Sequence, residues 1–194
     1  MARRYDHPPE DLRQMILDAG HALLAESGFA RFSAREVARR VGYSVGTIYH
    51  IFGTLDRLLF EINTITFRQW ADLLERRLAE APGHRLDALV EAYFEFAATH
   101  RTLWQAIWAH HMPADAPLPE QAARDRSRLT GIVIAEITQH LPEHRRGLAD
   151  SLARSLIATV HGHCDYAISG AFALMGEAEP IALAKCRVRD AVGH

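Results

Sequence analysis

Apolar residues recur at three- and four-residue spacing along most of this chain, the period of helices buried on one side. Leu12, Ile16, Ala19, Leu23 and Leu24 form the first stripe, which predicts a helix from Pro8-Pro9 to about Ser27. Gly28 is its stop signal, with Phe29 folding back onto the helix end. Ser33 followed by Glu36 reads as a capping box, and Val37, Ala38 and Val41 form the buried stripe of the helix it opens. Gly42 ends that helix, and Ser44 caps a third after a tight turn. Gly53-Thr54 interrupts again. Thr54 caps a long helix reaching about Glu80, striped by Leu58, Leu59, Ile62, Ile65, Phe67, Trp70, Leu73, Leu74 and Leu78 and stopped by Ala81-Pro82-Gly83.

Further helices are predicted over Leu86 to His100 and across Leu103, Trp104, Ile107 and Trp108. Two more run from about Glu120 to His140 and from about Glu143 to Ser169, and a terminal one runs from Pro180 to about Val192. The proline-rich MPADAPLPE segment between Trp108 and Glu120 reads as a loop. No stretch alternates with period two over a strand's length, and no hairpin dipeptide separates two apolar runs. The expected fold class is therefore all-α, about nine helices. A small N-terminal helix-turn-helix domain spans residues 1–56, and a larger helical bundle spans residues 57–194.

Composition narrows the classes. The chain of 194 residues is 48% hydrophobic and 24% charged, ordinary for a globular protein. Its apolar runs fall far short of the roughly 20 residues of a membrane span. The stretch MARRYDHPPEDLRQ is polar, so a secretory signal is not expected and a cytoplasmic location is. Cys164 and Cys186 lie in helical context with no spaced motif, which points to reduced thiols rather than a disulfide framework. Net charge is −2, but from Arg31 to Arg57 five arginines face two acids, Glu36 and Asp56. That local excess suits nucleic acid, and it equally suits a solvated helix face.

The third helix, Ser44-Val45-Gly46-Thr47-Ile48-Tyr49-His50-Ile51-Phe52, carries the candidate chemistry. Ile48 and Phe52 share one face and must pack inward, while Val45, Tyr49 and His50 point elsewhere. Gly46 in the first turn costs about 1 kcal/mol relative to alanine but permits close approach to a bulky partner. Free N–H groups and the positive end of the helix dipole suit a phosphate. Thr47 can bond a phosphate or a base edge, and its methyl can touch thymine. An unspecialised helical hairpin would carry the same caps and glycine stops.

The order Ser33-Ala34-Arg35-Glu36-Val37-Ala38, then Val41 through Phe52, then Leu58-Leu59, closely resembles the N-terminal domain of TetR-type transcriptional repressors. The match covers about residues 11–62. The resemblance implies a ligand-responsive homodimer that places its third helix in the major groove of a pseudo-palindromic operator and is released by a small apolar or aromatic effector. It implies phosphate contacts from Ser33 and Arg35, and a groove-facing surface of Ser44, Val45, Gly46, Thr47, Tyr49 and His50. Two positions depart from the family pattern. Leu55 stands where a phosphate-clamping lysine is common, with Arg57 as a candidate substitute, and Ile51 stands where a polar or aromatic residue is common.

In the larger domain, Trp70, Phe94, Trp104 and Trp108 are candidate pocket residues, with His163 and Tyr166; core packing explains aromatic residues equally well. His161, Cys164 and Asp165 have ligand chemistry at legal spacing, but one helix alone supplies them, so no metal site is assigned. No cofactor is expected either. Thr159-Val160-His161-Gly162-His163 resembles the Trp-His-Gly element of one TetR-type subgroup, with Val160 in place of the tryptophan. That resemblance implies a dimer through the last two helices, where Ala158 and Gly162 allow close approach. Two other functions stay open: a protein-interaction adaptor with a degenerate reader, and an all-α enzyme. The chain shows no phosphate loop, no nucleophile with a base at defined spacing and no paired acids in an apolar setting, so the non-enzymatic reading leads.

Overall fold

The computed structural model describes residues 7–111 and 120–193. Among the described residues there is no strand and there are ten α-helices, nine of them with seven or more residues: α1 Pro9–Ser27, α2 Ala34–Val41, α3 Val45–Phe52, α4 Leu55–Glu80, α5 Arg85–Thr99, α6 Arg101–Ala109, α7 Glu120–His140, α8 Ala149–Ser169, α9 Ala171–Leu174 and α10 Pro180–Val192. The fold is all-α, as the periodicity predicts. The expected proline-rich loop lies outside the described residues up to Pro119, and Glu120 opens α7.

The helix boundaries follow local chemistry. The Ser33 hydroxyl accepts the Glu36 N–H at 3.2 Å, and Thr54 accepts that of Arg57 at 3.1 Å. Gly42 ends α2 at φ +76°, where a side chain would be strained, and the Tyr43 N–H returns to the Ala38 carbonyl at 3.0 Å. The segment expected as one helix from Glu143 starts differently: Glu143–Leu148 is a 3₁₀ turn after Pro142, and the α-helix begins only at Ala149. Tight i+3 bonding after Pro142 accounts for this, with the Arg145 N–H on the Pro142 carbonyl at 2.8 Å. Gly170, at φ +81°, then closes α8 and opens the short α9, which the sequence pattern does not reveal.

The residues gather into two compact units, one of residues 7–66 with 102–111 and one of residues 67–101 with 120–193. The core of the first unit joins Ile16 and Leu24 of α1, Val37 of α2, Ile48 and Phe52 of α3 and Leu58 and Ile62 of α4, with Leu103 and Ala106 of α6 packed among them. Each fully buried aliphatic side chain contributes roughly 1.5–3 kcal/mol. Gly20 lets α1 lie close against α4, because a Cβ there would stand 2.5 Å from Ile62 Cδ1. In the second unit α8 packs on α5, α7 and α10. Around Trp70 the rings order themselves: Phe96 lies parallel at 4.9 Å and Tyr93 edge-on at 4.7 Å. Arg85 forks onto Glu136 at 2.7 and 2.5 Å, which neutralises the buried carboxylate of α7. No helix among the described residues is long and apolar enough to cross a membrane.

Candidate nucleic-acid interface

α3 is held from beneath and bare above. Ile48 and Phe52 are buried in the first unit, whereas Ser44, Val45, Gly46, Tyr49 and His50 are exposed and Thr47 is half-buried. The sequence places these residues because positions four apart share a face, so burying Ile48 and Phe52 turns the others outward. Ser44 Oγ accepts the Thr47 N–H at 3.1 Å, which fixes the start of the helix. Among the described residues a Cβ on Gly46 would meet only Ser44 Oγ, at an ordinary 3.5 Å, so none of them demands glycine there. The six residues expected to face a groove are thus brought onto one short helix and its cap.

On α2 the charges divide. Arg39 bonds Glu36 at 2.9 and 2.6 Å, and Arg40 bonds Glu26 at 3.0 and 2.6 Å. The hydrogen bond from Arg39 holds the Glu36 carboxyl down at about 2, and the one from Arg40 lowers that of Glu26. Arg35 is exposed and joins no ion pair among the described residues, which leaves its guanidinium available to a phosphate. The half-buried Ser33 uses a lone pair for its cap, and its O–H can still donate.

The two departures from the family pattern have structural counterparts. Ile51 and Leu55 are half-buried and pack against the core of the first unit. Arg57, the candidate substitute for a lysine at Leu55, donates to Glu61 at 3.2 Å. Glu61 also takes Arg13, whose guanidinium lies 4.5 Å over the Phe52 ring and reaches the Ile51 carbonyl at 3.5 Å. Arg13 and Glu61 therefore brace the back of α3, a role the sequence analysis missed; the helical spacing of Arg57 and Glu61 was its only local signal. His7, too, was missed: its Nδ1 lies 2.9 Å from the Tyr43 hydroxyl, tying the segment before α1 to the turn before α3.

The six candidate pocket residues divide between the two units. Trp104 and Trp108 belong to the first unit, Trp104 buried in it and Trp108 40% exposed. Trp70 and Phe94 are buried in the second unit. His163 lies 2.8 Å from the Thr159 carbonyl, and the exposed Tyr166 rests against Phe172. None of the six lines the apolar cavity of about 40 Å³ inside the second unit, whose walls include Leu74, Tyr93, Ile137, Leu156 and Val160. Tyr93 does, and its hydroxyl lies 2.9 Å from His161 Nδ1. Burial pushes the His161 imidazole below its usual pKa, against a weaker opposite pull from Asp165. Among the described residues no group of His, Cys, Asp or Glu is arranged to hold a metal ion.

Relatives of this arrangement are known. The family model for bacterial regulatory proteins of the tetR family matches residues 16–62, and that for a tetracyclin repressor-like C-terminal domain matches residues 86–187. The HTH-type transcriptional regulator BetI of Burkholderia ambifaria (strain MC40-6) is 31% identical over 156 residues, which cover 77% of this chain and 78% of BetI. A protein of unknown function from Rhodococcus sp. RHA1 superposes with a TM-score of 0.74 at 25% identity, covering 100% of both chains. The multidrug binding protein EbrR, solved with proflavin, shares the fold with a TM-score of 0.63 at 21% identity, over 93% of this chain and 99% of its own. With a capped, outward-facing α3 on a braced three-helix base and matches over both its parts, this chain is a transcriptional regulator of the TetR family.

Proposed function

We propose that the chain binds a pseudo-palindromic operator as a homodimer, represses there, and is released by a small apolar or aromatic effector. The observation that supports it most is α3, whose buried Ile48 and Phe52 turn Ser44, Val45, Gly46, Thr47, Tyr49 and His50 outward together. Ser33 and Arg35 position the reader on phosphates, and Thr47, Tyr49 and His50 reach base edges and backbone. Functionally the chain divides at residue 56: residues 1–56 read DNA, and residues 57–194 bind effector and dimerise.

The dimer forms through α8 and α10. Tyr166, Ile181, Leu174 at the end of α9 and its C-cap Met175 are exposed apolar surface, and a Cβ at Gly162 would meet nothing within 4 Å among the described residues. EbrR, a multidrug binding protein seen with proflavin, is a precedent for small-molecule binding on this fold. The adaptor alternative draws on Val45, Ile51 and Leu55, apolar at the edge of the reader.

Fluorescence anisotropy against the chain's own upstream DNA, across a salt series, tests the reading. Saturable binding whose half-sites lie about 34 Å apart, or a multiple, supports it. Indifference to every fragment at low salt overturns it and favours the adaptor.

A further inference from the structure

We propose that His7 is a positioning residue for operator reading: through Tyr43 it steadies the first turn of α3, and so governs discrimination between operator and other DNA rather than attachment to the phosphate backbone. This rests on the reading that α3 contacts bases.

The start of α3 has no buried side chain of its own. Ile48 and Phe52, which are buried, are the fourth and the last of its eight residues. Before them Val45 and Gly46 are exposed and Thr47 is half-buried. The helix is roughly 12 Å long, at about 1.5 Å per residue. A tilt of about 5° around Phe52 therefore moves the first turn by roughly 1 Å. That turn carries Gly46 and Thr47, two of the proposed readers.

Tyr43 supplies the missing anchor. It stands in the turn between α2 and α3, directly before the cap residue Ser44. Its N–H bonds the Ala38 carbonyl at 3.0 Å, and its half-buried ring packs against the core of the first unit. Its hydroxyl lies 2.9 Å from His7 Nδ1, with the two rings tilted at 58°. Ser44, the next residue, accepts the Thr47 N–H at 3.1 Å and lies 3.0 Å from the Thr47 hydroxyl. An unbroken run of contacts leads from His7 through Tyr43 and Ser44 to Thr47.

His7 is a firm end for that run. Pro8 and Pro9 follow it, and each ring fixes its own φ. The Leu12 N–H bonds the Pro8 carbonyl at 3.0 Å, which joins the segment to α1, and buried Leu12 and Ile16 seat α1 in the core.

The consequence follows from two distance dependences. A hydrogen bond to a base edge needs a separation of about 2.7–3.2 Å, so a displacement of roughly 1 Å removes it. The attraction between a guanidinium and a phosphate falls only gradually with distance. Cutting the tether thus erodes specific binding and spares non-specific binding.

The test uses the full chain and two duplexes: its own upstream DNA, and a scrambled duplex of equal length and base composition. Anisotropy is read across a salt series, and urea melts give the folded fraction. His7→Ala and Tyr43→Phe should each weaken upstream-DNA binding roughly five- to tenfold, change scrambled-duplex binding less than about twofold, and leave the salt slope unchanged. The double variant should lose no more than about either single one. His7→Asn, whose amide stands near the place of Nδ1, should return binding to within about threefold of the unmodified protein. An unchanged ratio of the two affinities, an equal fall in both, a shallower salt slope or additive losses overturns the proposal. Tyr43→Phe keeps the packed ring and decides the matter if His7→Ala does not fold. Unmodified protein that fails to prefer its upstream DNA overturns the base-reading itself, and this proposal with it, before any variant is compared.

Discussion

The hydroxyls of Ser44 and Thr47 lie 3.0 Å apart, and the same Ser44 oxygen accepts the Thr47 backbone N–H at 3.1 Å. The cap of α3 therefore also sets the Thr47 side chain, one of the proposed base readers. Ser44→Ala should lower stability by about 1 kcal/mol, as loss of an N-cap does. It should weaken operator binding by more than that fraction of unfolded protein explains, because Thr47 loses its orienting partner. Urea melts and anisotropy on the same preparation check both parts. Unchanged stability would mean that the cap is dispensable.

Gly46 separates fold from reading. The protein leaves room for a methyl group there, and alanine is the better helix former by about 1 kcal/mol. Gly46→Ala should raise the melting temperature while weakening operator binding at least about tenfold, if the groove wall approaches this backbone closely. A variant that is more stable and binds DNA equally well would remove Gly46 from the interface.

Leu55 tests the strength of the reader. It is half-buried at the first position of α4, and the neighbouring Arg57 is engaged with Glu61. Leu55→Lys should tighten binding at low salt and steepen the salt dependence by roughly 0.9 per added phosphate contact, about two contacts per dimer. An unchanged slope would show that this position faces no phosphate.

The two thiols should behave differently. Burial pushes the Cys164 thiol up to about 12, so almost none of it is thiolate near neutral pH, and Cys186 is exposed. Iodoacetamide at pH 8 should leave Cys164 unmodified in the folded protein and alkylate it after denaturation, read by peptide mass mapping. Rapid alkylation of Cys164 in the native state would contradict its placement in the core.

Elements fixed by neighbours in sequence were legible; those fixed by distant partners were not. Ser33, Ser44 and Thr54 announce their helices because each capping bond spans three residues. Gly28 and Gly42 announce the stops for the same reason. The outward face of α3 follows from Ile48 and Phe52 alone. A helical stripe says that an aromatic side chain is buried, not which core receives it. Trp104 and Trp108 sit on α6 and join the first unit; Trp70 and Phe94 join the second. The pairing of Tyr93 with His161 was not legible because the two lie 68 residues apart. The 3₁₀ start before α8 was missed because Glu143 to Leu148 reads well as either kind of helix.

Gly20 touches no part of the reading face, yet the notch it leaves for Ile62 seats α1 against α4. A regulator is usually studied through alleles that have lost control of their target gene. Such a collection would include changes at this glycine beside changes at Thr47 or Tyr49, and by phenotype alone the two kinds would look the same. Only the amount of folded protein in the cell distinguishes a chain that cannot read its operator from one that never presents α3 at all.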